Sequence, residues 1–363
     1  MGSNGDTKDP LREMPAADPL EMYLQWEQAV RGYKQFCAVA AAVRLRLFDA
    51  LEDHRRPGEL SAILGTAPEL TVDLCDLLAD GGLLVRNEEG FANTPASRTF
   101  LCSRSAYFQE EVIRNILSGV SLWEQLDRVC CEGPVNVDEA VFFENNLIDS
   151  LASEILVGEL QATVTAITRQ EGFREARRLL DLGGGHGLYA MALCRYNPDL
   201  EAVVFDFPPI EKDFQRYLAR FGGCRVRFSP GNLFADDLGR DYDVVLLSYN
   251  PGGKNPRVLE KIKESLKPGG LFVSKHAFYR RGEGSKSRLM DIEWQLTTFR
   301  GVGKGRRVYA FEHDLCLEDY LALLRHDFDI LESIESDAFA TAPLAKFGDR
   351  LDSNIILSRK KRT

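Results

Sequence analysis

The chain has 363 residues, with 55 acidic and 45 basic side chains and a net charge of −10, enough length for two domains with cores of their own. Acids and bases are interspersed rather than blocked, which argues against nucleic acid or an anionic membrane as the main partner. Eight cysteines without C-x-x-C or other metal spacing, no signal-peptide pattern and no apolar run of bilayer length predict a cytoplasmic protein with reduced thiols and no metal site. Residues 1–19 are polar, carry Pro10, Pro15 and Pro19, and are expected to form a disordered arm.

Residues 20–125 read as a mostly helical domain. Apolar residues at helical spacing (Val39, Val43, Leu47, Leu51) predict a core helix over 36–51. A short helix follows over 57–65 and a third over 67–79, stopped by Gly81-Gly82. Leu83–Arg86, the Asn87-Glu88-Glu89-Gly90 turn and Phe91–Thr94 then read as strand, turn, strand. That order is a winged helix, which raises the reading of a DNA-binding regulator. The third helix would lie in the major groove and should be basic. It holds Glu69, Asp73, Asp76 and Asp80 instead, with no basic residue before Arg86. Phosphates would repel such a face.

Residues 126–170 are expected to bridge to the second domain, with long helices over 107–129 and 151–170. Trp123, Phe142 and Phe143 are candidates either for an aromatic pocket wall or for plain core. The second domain, 171–363, opens on the most informative stretch. The apolar pair Leu179-Leu180 leads to Asp181, then Gly183-Gly184-Gly185-His186-Gly187, an amphipathic segment, and Val203-Val204-Phe205-Asp206. This is strand, glycine turn, helix and a second strand ending in a carboxylate, the front half of a nucleotide-binding βαβ unit. The acid at the end of the second strand suits the two hydroxyls of a ribose. A dinucleotide motif would need glycine where Leu188 stands. Asp181, two residues before the first glycine, favours an ammonium and would repel a phosphate. A ribose, a cationic amino-acid end and no phosphate together describe S-adenosyl-L-methionine.

The α/β pattern continues with a helix over 214–221, a strand over 225–228, the loop Gly231-Asn232-Leu233-Phe234 and a buried parallel strand over 242–248. A helix over 256–266, a strand over 271–274 and a terminal strand pair over 328–334 and 354–358 complete a doubly wound, seven-stranded Rossmann-like sheet with a reversed last strand. Ligands of such a sheet sit at the carboxyl ends of its strands.

Leu180-Asp181-Leu182-Gly183-Gly184-Gly185-His186-Gly187, Phe205-Asp206-Phe207-Pro208 and Leu266-Lys267-Pro268-Gly269-Gly270 resemble the small-molecule O-methyltransferases of plant and bacterial secondary metabolism, over residues 20–360 or so. The resemblance implies a class I methyltransferase domain behind a winged-helix dimerisation domain, a homodimer, and a small, aromatic or polyketide-like acceptor. It puts Gly183 and Gly185 under the methionine portion, with Asp181 and Gly187 in the same turn, Asp206 on the ribose and Phe207 beside the adenine. Asn232, with Leu233 next to it, stands where the family usually has an aspartate near the adenine amine, and Ser248 near a usual lysine.

The family's general base is a histidine in a His-Asp-Trp-like segment after the fourth strand. Here Ser248-Tyr249-Asn250-Pro251-Gly252-Gly253-Lys254-Asn255 contains no histidine. The base then comes from elsewhere or the chemistry differs: O-methylation with a non-standard base, C- or N-methylation, or a reaction on the bound cofactor fold without methyl transfer. His54 and His326 read as surface residues, and His186 as part of the glycine turn. His276, at the end of the fifth strand, and His313, in Glu312-His313-Asp314, are the candidate bases, with Tyr249 as a further donor or base. A basic tract (Arg280, Arg281, Lys286, Arg288, Arg300, Lys304, Arg306, Arg307) flanks 289–298, which lines the acceptor pocket in the family. It either faces an anionic acceptor or is a solvated loop.

Overall fold

A computed structural model describes residues 11–12, 14–15, 17–137, 147–223, 225–250, 252–299, 303–335 and 353–362. Most of the expected N-terminal arm, as well as Phe142, Phe143 and Arg300, lies outside the described residues. The chain divides into two compact units, one ending at Phe108 and the other starting at Gln109. The described residues of 126–170 belong to the second unit.

The first unit starts with helix α1 (Leu20–Arg44), which begins well before the residue-36 start read from the periodicity. Its C-terminal part buries Ala40, Ala42 and Val43, while Leu20, Tyr23, Leu24, Trp26, Val30 and Tyr33 are exposed on the earlier turns. The helix breaks at Arg46, whose backbone is left-handed (φ 59°), and resumes as the single turn α2 (Leu47–Ala50). Helices α3 (Pro57–Leu64) and α4 (Pro68–Asp80) each start on a proline at the first helical position, where no amide hydrogen is missed. Strands β1 (Leu84–Asn87) and β2 (Gly90–Asn93) form the antiparallel wing, and α5 (Pro95–Phe100) follows. Buried Asn93 donates to the carbonyls of Phe48 (2.7 Å) and Leu51 (3.0 Å), tying the wing to α2. On α4 Glu69, Asp73 and Asp80 are exposed, and Asp76 pairs with Arg86.

In the second unit the two long helices expected are each broken. The first is α6 (Glu110–Trp123) and α7 (Leu126–Glu132); the second is α8 (Ile148–Leu156) and α9 (Glu159–Thr168), parted at Gly158. A short strand β3 (Val135–Val137) precedes the sheet proper. The sheet strands are β4 (Arg178–Leu182), β5 (Glu201–Asp206), β6 (Val226–Pro230), β7 (Tyr242–Ser248), β8 (Leu266–His276), β10 (Phe328–Glu335) and β11 (Asn354–Lys360). Between β8 and β10, β9 (Thr297–Phe299) pairs in parallel with β3. The seven-stranded order is β10-β11-β8-β7-β4-β5-β6, with β11 antiparallel to both neighbours. Crossover helices are α10 (Leu188–Tyr196), α11 (Glu211–Phe221), α12 (Pro256–Ser265), α13 (Arg288–Gln295) and α14 (Leu317–Asp327).

Strand alternation splits the core between the two faces of this sheet. Leu179, Val204, Val244, Leu246 and Val273 pack with α9, α10 and α11. Leu180, Leu182, Val245, Leu247 and Phe272 pack with α12 and α14 on the other side. Both faces are covered, which is why β7 is apolar through its centre, from Val244 to Leu247. Strand order reverses between β4 and β7, so a crevice opens at their carboxyl ends. No helix among the described residues is long and apolar enough to cross a membrane.

Candidate active site

That crevice is a cavity of about 910 Å³, large for a small-molecule site. Its floor is the turn after β4, where Gly183, Gly184 and Gly185 line the cavity. Gly183 has φ 68°, and a Cβ built on it would stand 2.1 Å from the side-chain Nδ2 of Asn250, so the turn and the loop after β7 are in close contact here. Gly183→Ala is expected to destabilise the fold by roughly 1–3 kcal/mol from the left-handed backbone alone, read as a lower melting temperature. An unchanged melting temperature would contradict this packing.

Two acids stand at the floor. Asp181 on β4 is 1% exposed, and its Oδ2 has no hydrogen-bond partner. Burial pushes its carboxyl up to about 7; the backbone N–H of Ala190 opposes this and the charge of Asp206 adds to it. Asp206 closes β5. Its Oδ2 accepts from the Gly185 amide (2.8 Å) and its Oδ1 from the Phe207 amide (2.7 Å). Burial raises it to about 6 against those two bonds. Each oxygen of Asp206 keeps a lone pair for a ligand hydroxyl. An orphaned buried carboxylate oxygen calls for a cation, and Asp181 is the group in the cavity with that need. The pair thus fits a ligand with an ammonium at one place and a ribose at the other, and the absence of a phosphate in that ligand fits two carboxylates.

The remaining walls are mixed. Ile148, Leu151 and Ile155 on α8 and Ile210 supply aliphatic surface, Phe207, Phe234 and Phe311 aromatic surface. Asn232 and Leu233 line the cavity after β6, and the Asn232 Oδ1 already accepts the Phe234 amide hydrogen (2.9 Å), leaving one lone pair and the NH2 group for a ligand. Ser248 and Tyr249 line it at the end of β7. Tyr249 has a left-handed backbone (φ 48°) and its hydroxyl is 2.7 Å from that of Ser353. Burial holds its phenol far above the usual range, so Tyr249 suits a donor and not a base.

The histidines separate clearly. His313 lines the cavity from the segment before α14, with φ 68° and an exposed side chain. His186 also lines it, but its Nδ1 accepts the Leu188 amide hydrogen (3.2 Å), and burial lowers its pKa to about 4, leaving a feeble base. His276 is not part of the lining. It is 2% exposed beneath the loop after β7, where a Cβ on Gly253 would stand 1.9 Å from its ring. Burial, then the charges of Lys254 and Lys275, hold it neutral. Gly187 is likewise outside the lining; its α-carbon faces Phe214 and serves the packing of α10 on α11.

Of the basic tract, no described residue lines the cavity. Arg280 pairs with Glu335 (3.3 Å), Arg281 with Asp319 (2.5 Å) and Lys286 with Glu283 (2.7 Å). Arg307 stacks on Tyr279, and Lys304 donates to the carbonyls of Trp294 and Thr297. The cation in the lining is Arg257, in the first turn of α12, which neither composition nor motif marked out. Tyr189 and Asn250 were missed in the same way. Trp123 donates to Glu293 (3.0 Å) and does not line the cavity. Among the described residues no three His, Cys, Asp or Glu side chains gather as a metal site.

Fold and cavity together define a class I α/β methyltransferase architecture behind a helical N-terminal unit. Comparison with known families agrees: residues 27–103 match an O-methyltransferase dimerisation domain and residues 145–312 an O-methyltransferase domain. An uncharacterised protein of Methanocaldococcus jannaschii is 30% identical over 335 residues, 90% of this chain and 89% of its own length. The tetracenomycin polyketide synthesis 8-O-methyl transferase of Streptomyces glaucescens is 30% identical over 279 residues, covering 73% of this chain and 82% of that enzyme. Human N-acetylserotonin methyltransferase, solved in complex with SAM, superposes with a TM-score of 0.67 at 19% identity, over 96% of this chain and all of that one (100%). The chain belongs to the O-methyltransferase family.

Proposed function

We propose that this protein methylates a hydroxyl of a small, aromatic or polyketide-like metabolite, with S-adenosyl-L-methionine as cofactor and His313 as the base. The observation that carries the reading is the pair of acids at the cavity floor: buried Asp181 with an orphaned oxygen, and half-buried Asp206 with one oxygen held by the Gly185 amide of the glycine turn and the other by the Phe207 amide. Asp181 would hold the cofactor's ammonium and Asp206 its ribose, with Phe207, Asn232 and Leu233 around the adenine and Ser248 at the edge. The cofactor, when bound, supplies an electrophilic methyl group on a sulfonium. The chain's own part is to hold the acceptor in line and to take its proton. Ile148, Leu151, Ile155 and Phe311 provide the apolar surface an aromatic ring needs. The polyketide enzyme among the relatives supports that acceptor class. The match to a dimerisation domain supports a homodimer, and cysteines outside any disulfide among the described residues support a cytoplasmic setting.

His313 is favoured because it is the histidine that both lines the cavity and keeps its imidazole exposed there. Incubation with S-adenosylmethionine and extracts of the source organism, followed by mass spectrometry, should yield S-adenosylhomocysteine and a product heavier by one methylene. Consumption of a metabolite without S-adenosylhomocysteine would replace methyl transfer by another reaction. His313→Ala should slow turnover by about 100-fold or more while leaving the S-adenosylhomocysteine affinity in place. An unchanged rate would remove His313 as base and favour an amine or carbon acceptor.

A further inference from the structure

The stretch from Ser248 to Asn255, which resembles the family's histidine-bearing segment without its histidine, carries Gly252-Gly253 followed by Lys254, a lysine 4% exposed. Its ammonium lies outside the cavity lining and reaches three acceptors on two segments. It donates to the carbonyl of Tyr309 (2.6 Å) and to that of Ala277 (3.1 Å), and pairs with Asp314 Oδ2 (3.0 Å). The main chain adds a fourth link, since the Leu315 amide donates to the Lys254 carbonyl (3.1 Å). Tyr309 and Asp314 bracket the short turn that carries His313. Asp314 closes that turn from within: its Oδ2 accepts the Phe311 amide hydrogen (2.9 Å), and its own amide donates to the Phe311 carbonyl (3.2 Å). Two non-glycine residues of the segment, Tyr309 (φ 54°) and His313 (φ 68°), hold left-handed backbones. Such conformations persist only where the surroundings over-determine them, and they gather at functional sites.

We propose that Lys254 is the positioning residue for His313. Its ammonium clamps both ends of the 309–314 turn and so holds the imidazole at the cavity. A charge is used because one ammonium offers three donors to three separate acceptors, which no neutral side chain of that length does. Isolated burial of such a charge would be unfavourable, and Asp314 and the two carbonyls satisfy it. The proposal rests on the reading of His313 as base only for what the clamp is for.

The test needs no acceptor. In protein labelled with 13C at histidine Cε1, loss of one resonance in His313→Ala identifies His313 among the five histidines. With S-adenosylhomocysteine as the bound probe, the parent should show one sharp His313 line. In Lys254→Met that line should broaden or split, while the His186 line and the S-adenosylhomocysteine affinity stay within about 3-fold of the parent, because β4 and β5 are untouched. Asp314→Asn keeps an acceptor for the Phe311 amide but removes the charge pair, and should act in the same direction; it decides the matter if Lys254→Met does not fold. An unmoved His313 line in the folded variants overturns the proposal. Unchanged turnover in His313→Ala, with the line still broadened by Lys254→Met, would instead sink the base assignment and leave the clamp standing.

Discussion

Replacing Asp206 with alanine is expected to weaken S-adenosylmethionine, S-adenosylhomocysteine and free adenosine alike, each by about 100-fold or more. All three present a ribose, and Asp206 is the acid at the carboxyl end of β5 with both oxygens oriented by backbone amides. Hydrogen bonds to a charged group contribute about 1.5–3 kcal/mol each, so two hydroxyls amount to about 3–6 kcal/mol, or two to four orders of magnitude in affinity. Alanine also removes the acceptor of the Gly185 and Phe207 amides, which loosens the glycine turn itself. Asp206→Asn keeps an oxygen for one amide and should fall between the parent and the alanine variant. Protonation imitates the substitution: the carboxyl sits at about 6, so adenosine binding should weaken as pH falls through that value. Titration calorimetry with adenosine at pH 8 reads the effect directly. A loss of less than 5-fold would mean that the ribose lies elsewhere in the cavity.

The sequence exposed those parts of the fold in which one residue type answers to one physical demand. Strand β7 was legible to its ends because a parallel strand covered on both faces has no polar alternation to blur it. The placing of Asp181 and Asp206 in the wall of one cavity was legible because a glycine turn between two such strands brings the carboxyl ends of both strands to one crevice. The first turns of α1 were not, since their apolar residues stand exposed and follow no core. Neither was the direction of a glycine: Gly185 faces the ligand space and Gly187 faces Phe214, yet both lie in one run. The end of β8 shows the same limit. Lys275 and His276 point to opposite sides, and neither lines the cavity. The signal that was available there is the glycine pair Gly252-Gly253, which announces something bulky pressed against the loop. In the structure that bulk is the ring of His276. Arg257 and Asn250 carried no signal of their own, because neither a place in the first turn of a helix nor one on the loop after a strand fixes where a polar side chain turns.

The converse substitution separates stability from function at the other acid. Asp181→Asn should stabilise the free protein near pH 8 and weaken S-adenosylmethionine by about 30- to 100-fold, yet leave adenosine unaffected. Asp181 is buried with an unpartnered oxygen, and burial raises its carboxyl from 3.8 to about 7. In the unfolded chain the same group ionises near 3.9. Between those values the folded state keeps a proton that the unfolded state has released, so stability falls as pH rises and levels off above about 7. Three pH units at about 1.4 kcal/mol each amount to about 4 kcal/mol of stability that asparagine, neutral throughout, would not lose. An ammonium in the cavity reverses the sign: it favours the ionised form, so cofactor binding below pH 7 should release a proton and strengthen as pH rises to about 7. Thermal melts of parent and variant from pH 5 to 8, with calorimetry of S-adenosylmethionine in two buffers of different ionisation enthalpy, test both halves. Adenosine lacks the amino-acid end and is the control. If the variant bound S-adenosylmethionine as tightly as the parent, or adenosine fell along with it, the ammonium would not be what Asp181 is buried for.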